Sequence, residues 1–385
     1  MSSRVVVEHC PDYRREVVEA RVRHLFERLG GITSWANSNS TVLIKVNLLG
    51  PKEPNRAVTT HPVVVWAVAK CLMEVGARVQ VGDSSGGVFP GGERTAESFA
   101  VSGIADVAQE LGVEVINFDR SEVVSLPNPR GDSFGAIVLA KPVLEADLVI
   151  NMPKLKTHSL TVFTGAVKNM YGCVPGNRKM WYHKEAPGLE QFSDYILDIF
   201  SLAAPGLSIM DGITAMEGDG PAAGTPRHVG ALIAGSDGVA VDAAACRLVG
   251  IPTGDLAVFV KAKARGLGES DESALEVEGP AAALTVSDFR FRRRGLPLPG
   301  FAAKTGISLL SAYPKIDSAS CINCGICRRA CPVEAIRFID GQHVVDASSC
   351  VQCYCCHELC PHDAVELRSS VFRSAVQRIY EAIKR

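Results

Sequence analysis

The sequence predicts an α/β protein with a largely parallel sheet and helices on both faces, followed by a small C-terminal α+β domain. Up to about Gly250, short β-branched runs alternate with longer amphipathic ones, which is typical of parallel strands joined by helical crossovers. From about Ser270 to Pro314 this periodicity is absent. Beyond Pro314, nine of the thirteen cysteines fall between Cys321 and Cys360. We therefore expect two domains joined by a connector.

The apolar runs of the first region predict seven strands and six helices. The strands are expected at Val5–Glu8, Val42–Val46, Arg78–Gly82, Val113–Phe118, Leu148–Asn151, Ser208–Asp211 and Gly230–Ala234. The helices are expected at Arg14–Leu29, Pro62–Val75, Gly103–Leu111, Leu189–Ala203, Ala240–Val249 and Asp255–Ala264.

The domain prediction divides the chain into four parts. Residues 1–285 form the α/β domain, 286–311 a basic Pro/Gly-rich linker, 312–368 the cysteine-rich domain and 369–385 an amphipathic C-terminal helix. The linker is either a solvated connector or a docking patch for an acidic redox partner, because clustered charge steers such encounters.

Composition restricts the partners. The 385 residues carry 40 Lys and Arg against 42 Asp and Glu, so charge gives no reason to expect nucleic acid. No run reaches the roughly 18 apolar residues of a membrane span, and no signal sequence precedes the first strand. We expect a cytoplasmic protein without a membrane or nucleic-acid partner, in which cysteines serve as metal ligands or buried thiols.

The cysteine-rich region repeats itself at a 29-residue offset. Each copy reads C-x2-C-x2-C-x3-C-P, once from Cys321 and once from Cys350. In this pattern three thiolates reach one [4Fe–4S] cluster and the fourth completes the neighbouring one. The predicted ligand sets are Cys321, Cys324, Cys327 and Cys360 for one cluster, and Cys350, Cys353, Cys356 and Cys331 for the other.

Several features surround these ligands. Cys355 is an additional cysteine outside the pattern, and the Asp340-Gly341 turn predicts a hairpin between the two copies. Zinc is the rival metal, but it favours four ligands in two separated pairs. A second alternative is that the clusters only stabilise the fold of the small domain and transfer no electrons. The pattern resembles the bacterial two-cluster ferredoxins, so we expect a ferredoxin-like domain with a redox partner protein.

The remaining cysteines are expected to be buried thiols, although the role of Cys173 is left open. They are Cys10, Cys71, Cys173 and Cys246.

Polar residues of the α/β region gather directly after predicted strands, where open α/β sheets bind ligands. Asn47 follows one strand, and Asp83 and Ser84 open a Gly-rich turn that is either a ligand cradle or an ordinary turn. The densest stretch follows Leu148–Asn151. Its lysines are expected to bind an anionic group, and His158 or Tyr171 is expected to donate a proton. The alternative is a solvated basic loop. The candidate residues of this stretch are Lys154, Lys156, His158, Lys168, Asn169 and Tyr171.

A third group lies on an acidic, Gly-rich loop. Glu217 and Asp219, with His228 beyond them, are candidates for acid–base work, hard-metal binding or substrate contact, and a purely structural loop is the alternative.

At these residues the chain resembles the family known as domain of unknown function 362, often fused to a two-cluster ferredoxin. The matching stretches are Thr59–Pro62, Gly82–Gly87, Asn151–His158, Gly165–Gly172 and Glu217–Pro221. The resemblance implies no general activity.

Together these patterns favour an iron–sulfur oxidoreductase that passes electrons through two clusters to a small anionic substrate or cofactor. In this hypothesis Lys154, Lys156 and Lys168 hold the substrate and His158, Tyr171 or Lys168 serves the chemistry. An electron carrier whose α/β domain only docks a partner is the alternative, and a redox sensor is the third. No flavin motif is evident, and the sequence leaves a further cofactor open.

Overall fold

The computed structural model describes residues 4–86, 90–128, 130, 135–186, 188–254, 256–292 and 312–368. The chain forms two compact units, Met1–Phe291 and Arg292–Arg385. Each unit has its own strands and its own buried core, and each is described separately below.

The first unit is built on a ten-stranded sheet and a separate two-stranded hairpin. The strands in chain order are β1 Arg4–His9, β2 Thr41–Lys45, β3 Arg78–Asp83, β4 Glu114–Asn117, β5 Val123–Pro127, β6 Ala136–Ala140, β7 Leu148–Asn151, β8 Lys154–His158, β9 Val162–Thr164, β10 Leu207–Glu217, β11 Thr225–Gly235 and β12 Glu276–Glu278. Strands β5 and β6 form the separate hairpin.

The sheet order is β12-β1-β11-β10-β7-β2-β3-β4, and β8 pairs with β10 and β9. All four pairings from β10 through β7, β2 and β3 to β4 are parallel. The chain runs outward from β2 to β4 and then returns to β7 on the other side of β2. The boundary between β2 and β7 is therefore a topological switch point, where α/β sheets open a crevice at their carboxyl edge.

Among the described residues of this unit, ten α-helices accompany the sheet. They are α1 Arg15–Arg28, α2 Pro62–Glu74, α3 Glu93–Val101, α4 Ile104–Leu111, α5 Lys141–Glu145, α6 Ala166–Asn169, α7 Arg178–Glu185, α8 Leu189–Ala203, α9 Gly238–Leu248 and α10 Ala257–Ala264. Pro62 occupies the first turn of α2 and Asp237 caps α9 through the amides of Val239 and Ala240. Both are standard ways to satisfy the free amides at a helix start.

The sheet is buried on both faces. Val42 and Ile44 of β2 share one core with residues of α1, α2 and α4. Leu43, whose side chain points the opposite way, is also fully buried. Central parallel strands covered on both sides are typical of doubly wound α/β proteins, so the predicted fold class is confirmed.

All thirteen predicted elements of this unit are present, with ends that shift by at most two residues except in two strands. Those two, β10 and β11, are longer than predicted and form an antiparallel ribbon with an irregularity between Gly212 and Thr214. Strands β8 and β9 were not predicted. Alternating lysines in Lys154–His158 suggested a loop, yet every residue of this strand is buried.

The second unit repeats its own backbone at the 29-residue offset of the sequence. Its elements are β13 Tyr313–Ile316, α11 Ile326–Arg329, β14 Ile336–Ile339, β15 Gln342–Val345, α12 Cys355–Glu358 and β16 Val365–Arg368. Strand β13 pairs with β16 as β15 pairs with β14, and both pairs are antiparallel. The predicted hairpin around Asp340-Gly341 is confirmed.

The connector begins on the first unit. Phe289 is buried, and residues 286–292 belong to no helix or strand. Residues 293–311 of the predicted linker and the predicted helix 369–385 lie outside the described residues.

Candidate functional site

Three asparagines meet at the switch point between β2 and β7. Asn169 Nδ2 donates to Asn151 Oδ1 at 2.7 Å and to the carbonyl of Val46 at 3.2 Å, and Asn47 Nδ2 donates to Asn169 Oδ1 at 3.0 Å. Asn47 Oδ1 is buried and has no hydrogen-bond partner among the described residues. The structure thus brings two predicted residues, Asn47 and Asn169, into direct contact, and Asn169 joins them to Asn151.

The helix that presents Asn169 is held at its start by a buried carboxylate. Asp242 of α9 accepts hydrogen bonds from the amides of Ala166 and Val167. Gly165 is required there because a Cβ at that position would collide with Asp242. Burial raises the pKa of Asp242 to about 7, against the opposing effect of the two amides. The short helix α6 is therefore fixed from the opposite side of the site.

A second group lies at the ends of β2 and β3. Lys45 Nζ is 2.7 Å from Asp83 Oδ1, and Asp83 Oδ2 accepts from the Leu48 amide at 2.9 Å. Lys179 of α7 donates to Ser84 Oγ at 2.8 Å and to the Ser84 carbonyl. Burial lowers the pKa of Lys179 to about 8. The Asp83–Ser84 turn is thus held by two lysines that the sequence analysis did not select.

The basic stretch is part of the sheet instead of a solvated loop. Lys154 Nζ is 2.7 Å from Asp211 Oδ2 and 2.9 Å from the hydroxyl of Tyr13, and both charged side chains are completely buried. Burial opposes ionisation of Asp211, but the Lys154 ammonium keeps the pKa of Asp211 below its usual value. Tyr13 also stacks on His61, with ring centroids 3.6 Å apart. Burial lowers the pKa of His61 to about 4.

Lys156 and His158 lie further along β8, and both are buried. Lys156 Nζ donates to the carbonyl of Val58 at 2.6 Å. His158 Nδ1 accepts from the amide of Leu160 at 3.0 Å, so its ring proton belongs on Nε2. The alternative of a solvated basic loop is wrong, because strand pairing with β10 carries these side chains into the interior.

Lys168 and Tyr171 lie in an aromatic environment beyond the switch point. Lys168 is half-buried, with Nζ 5.5 Å from the Tyr171 ring and 5.8 Å from the Phe192 ring. The Tyr171 hydroxyl donates to the carbonyl of Lys179 at 2.6 Å. His183 stacks on Phe192, and burial lowers the pKa of His183 to about 3. Tyr171 thus joins the Lys168 surroundings to the helix that carries Lys179.

The acidic loop lies apart, at the far end of the β10–β11 ribbon. Glu217 is buried, and its two oxygens accept from the Arg290 guanidinium at 2.8 Å and the Arg290 amide at 3.0 Å. Asp219 and His228 are exposed. Glu217 therefore fastens the start of the connector onto the first unit.

The four scattered cysteines are all buried. Burial raises the pKa of Cys173 to about 12, although Lys45 and Lys179 oppose the shift. A thiol with such a pKa stays protonated at neutral pH and is a poor nucleophile. Cys173 thus lies within the electrostatic influence of Lys45, Asp83 and Lys179 and has no reactive character.

The second unit contains two cavities, each lined by four cysteines. The first cavity is lined by Cys321, Cys324, Cys327 and Cys360. The second is lined by Cys331, Cys350, Cys353 and Cys356. We call these the first site and the second site. Each site takes three cysteines from one copy of the repeat and one from the other copy, which is the predicted grouping.

The backbone around the two sites is matched residue by residue. Asn323 and Gln352 both have left-handed φ angles, 59° and 55°, and so do Glu334 and Asp363. The Ala335 amide donates to Cys331 Sγ at 3.1 Å, and the Ala364 amide donates to Cys360 Sγ at 3.3 Å. Amides directed at cysteine sulfurs stabilise the negative charge of ligated thiolates, so the geometry fits iron–sulfur clusters.

The additional cysteine has a defined place in this repeat. Cys355 is the first residue of α12, at the position that Ile326 takes in α11. Its buried thiol hydrogen-bonds to Cys353, and it is absent from the lining of the second cavity. Tyr354, the residue before it, adopts a φ of 63° where the matched residue is Gly325. The Tyr354 hydroxyl donates to the carbonyl of Ala312 at 2.9 Å, which holds this strained position.

These sites agree with the comparison to known domains. Residues 313–361 match the model of a 4Fe-4S dicluster domain, which supports [4Fe–4S] clusters over zinc. The α/β sheet and the two four-cysteine sites together define an iron–sulfur protein of the electron-transfer class. Within that class, the chain belongs to the family described as domain of unknown function 362, whose model matches residues 42–247.

A curated relative extends the match. The thylakoid-associated protein sll1697 of Synechocystis sp. is 39% identical over 224 residues, which cover 58% of this chain and 67% of that protein. The described part of this chain contains no helix with the length and apolar character needed to cross a bilayer.

Two solved structures show a more distant likeness. A structural-genomics protein from Thermotoga maritima has a TM-score of 0.38 and 17% identity, covering 63% of this chain and 60% of its own. The lactate racemase apoprotein of Thermoanaerobacterium thermosaccharolyticum also has a TM-score of 0.38, with 15% identity, covering 58% and 54%. This chain thus spans less than two thirds of either structure.

Proposed function

We propose that this protein is an iron–sulfur oxidoreductase in which two [4Fe–4S] clusters pass electrons to a small anionic substrate or cofactor bound by the α/β unit. The observation that carries the proposal is the pair of four-cysteine cavities related by one internal repeat. A metal site that only stabilised the fold would not need a second, matched site. Two matched redox sites within one small unit suit electron transfer through both.

The cluster ligands in this proposal are the eight cysteines that line the two cavities. When bound, each cluster would store and release one electron. The surrounding chain keeps the sulfurs in place through the matched turns and directs the Ala335 and Ala364 amides at Cys331 and Cys360. A redox partner protein would supply or remove electrons at this unit.

The proposed substrate position is the switch point between β2 and β7. Support comes from Asn47, whose buried Oδ1 lacks a partner among the described residues, and from the general position of ligands in open α/β sheets. Asn169 and the Asp83–Ser84 turn border the same carboxyl edge. An amide-rich crevice with Lys168 beside it would suit a carboxylate or phosphate group.

In this proposal the two buried lysines of β8, Lys154 and Lys156, do not bind the anionic group. Lys154 and Lys156 are both buried within the sheet, whereas Lys168 is half-buried and adjacent in sequence to Asn169, so anion binding is assigned to Lys168. His158 and Tyr171 remain the proposed proton donors, and Tyr171 is the better placed because it adjoins Lys168. Glu217 and Asp219 lie outside the proposed pocket, and Glu217 instead holds the connector.

Native mass spectrometry of protein purified without oxygen tests the proposal. We expect the sequence mass plus two clusters and an additional small molecule. Lys168→Ala should lose the small molecule and keep both clusters. The matched control is Lys263→Ala, which alters an exposed lysine in a surface ion pair. This variant should keep the small molecule and both clusters.

Two other results would change the assignment. Retention of the small molecule in Lys168→Ala would place its binding elsewhere. Two clusters without any small molecule, together with oxidation by a redox protein and by no small oxidised compound, would favour the electron-carrier function.

A further inference from the structure

The close backbone match between the two cluster sites makes their side-chain differences informative. The two antiparallel strand pairs, the two amide-to-sulfur bonds and the left-handed pairs Asn323/Gln352 and Glu334/Asp363 recur at the 29-residue offset. Clusters held by the same backbone in the same way would have similar reduction potentials. A difference between their potentials would then come from the side chains and the solvent exposure at matched positions.

Three matched positions in the cavity linings differ in polarity. The first site has His343, His362 and Gly325 where the second site has Pro314, Val333 and Tyr354. The first lining therefore carries two imidazoles, whereas the second carries proline, valine and a tyrosine whose hydroxyl points away to Ala312.

His343 is the most informative of these residues. It is only 8% exposed, and its ring packs against Phe338 with centroids 4.9 Å apart. Its Nδ1 atom is buried and has no hydrogen-bond partner among the described residues. A buried ring nitrogen without a protein partner costs free energy, unless a group that the cavity is built to hold satisfies it.

The ligands also differ in exposure. Cys324 of the first site is exposed and its neighbour Ile322 is 63% exposed, whereas the matched Cys353 is only 9% exposed. Solvent and hydrogen-bond donors both stabilise the more negative, reduced state of a cluster. Both differences favour easier reduction at the first site, whereas the Cys355 thiol that hydrogen-bonds to Cys353 acts in the opposite direction at the second site.

We propose that His343 gives the first cluster an imidazole hydrogen-bond donor that the second cluster lacks, and so makes the first cluster the one of higher reduction potential. Electrons entering this unit would then come to rest at the first site, the one with the exposed Cys324 ligand. The inference rests on the two clusters of the proposed function and adds an order of reduction to them.

The test is a redox titration of the anaerobically purified protein at one fixed pH, followed by electron paramagnetic resonance. Cys324→Ser and Cys353→Ser each alter one site and assign the two signals. In the unaltered protein the first site should be reduced first. His343→Phe keeps a ring in the cavity and removes both ring nitrogens.

We expect His343→Phe to lower the reduction potential of the first cluster by about 59 mV, which is a tenfold change in the equilibrium constant of a one-electron couple. The second cluster should be unaffected, and His343→Gln, which keeps a donor, should restore part of the loss. His228→Phe, at an exposed histidine of the other unit, should change neither potential.

Several outcomes would overturn the inference. These are equal potentials in the unaltered protein, prior reduction of the second site, or a His343→Phe shift that is absent or shared by both clusters. Iron content and intact mass are measured first on every preparation. Absence of clusters at that stage contradicts the proposed function itself, whereas loaded clusters with unmoved potentials contradict only the role of His343.

Discussion

The two units bury polar groups in opposite ways. In the α/β unit, charged side chains are paired internally, as in the Lys154–Asp211 and Lys45–Asp83 ion pairs. In the cysteine-rich unit, the sulfurs line cavities, and the protein core around them is small. Among the described residues of this unit, the apolar cluster around the sulfurs has six buried members, three of which are cysteines that line the cavities: Cys327, Ile336, Cys356, Cys360, Ala364 and Val365. The first unit supports its own fold, whereas the second depends on what its cysteines bind.

The largest expected effect is on the fold of the second unit when its clusters are removed. Chelation under mild oxidation should abolish amide protection across residues 312–368, because ligand binding supplies the folding free energy that so small a core lacks. Hydrogen exchange with mass spectrometry measures this. Strands β2, β3 and β7 should keep their protection. Equal protection of both units in the cluster-free protein would contradict the comparison.

Breaking the buried Lys154–Asp211 ion pair tests whether internal charge pairing stabilises the first unit. Lys154→Met leaves Asp211 buried without its cation, and we expect a loss of about 3–5 kcal/mol in the free energy of unfolding. Urea denaturation measures the loss. Lys263→Met, which removes an exposed ion pair, should cost less than about 1 kcal/mol. Similar losses in the two variants would mean that the buried pair is not a structural element.

Acid should destabilise the first unit through histidines that are buried in the neutral form. The pKa of His183 is lowered to about 3 by burial, so the unfolded chain binds more protons than the native one below the ordinary pKa of 6.5. This contribution to stability is complete at neutral pH and is lost as the pH falls from about 6.5 to about 3. Asp242, whose pKa is raised to about 7, acts with the opposite sign between about pH 4 and 7.

His183→Phe sharpens that expectation. Because the variant cannot take up this proton, it should lose about 2 kcal/mol less than the unaltered protein between pH 7 and pH 5, at 1.36 kcal/mol per unit of pKa difference. Denaturation curves at both pH values measure the difference. His228→Phe, at an exposed site, is the control and should leave the pH dependence unchanged. Parallel curves for His183→Phe and the unaltered protein would contradict the proposed cause.

The smallest expected effect concerns Cys355. Cys355→Ile copies the matched residue Ile326, and we expect full iron content in both sites because Cys355 does not line the second cavity. Cys356→Ile, one residue away, should lose the second cluster. Iron analysis and intact mass measure both variants. Loss of iron in Cys355→Ile would make Cys355 part of the cluster site.

Much of this fold follows from local sequence patterns. The β-branched runs predict the central strands to within about one residue at β2, β3 and β7, because parallel strands buried on both faces need continuous apolar sequence. The cysteine grouping also follows from sequence, since the spacing of the repeat restricts which sulfurs can meet. Whether those cysteines hold clusters remains a prediction for iron analysis.

The polar interior was harder to predict, because its partners are distant in the chain. Tyr13 and Asp211 are 198 positions apart, and no local pattern connects them. Strand β8 has the polar sequence of a loop and is buried only because its lysines find partners on other elements. Lys45 and Lys179 carry no motif either. A lysine at the end of an apolar strand, as at Lys45, was the one available signal.

The exchange of cysteines between the two repeats has a consequence for how the protein acquires iron. Each loop contributes three sulfurs to one site and its last sulfur to the other, so neither half of the repeat contains a complete ligand set. The two halves must therefore come together before either cluster can mature. Damage to a single loop, for example at Cys331, would impair the second site even though most of that site's ligands belong to the other loop. Maturation of either cluster should therefore require both halves of the repeat to be folded together.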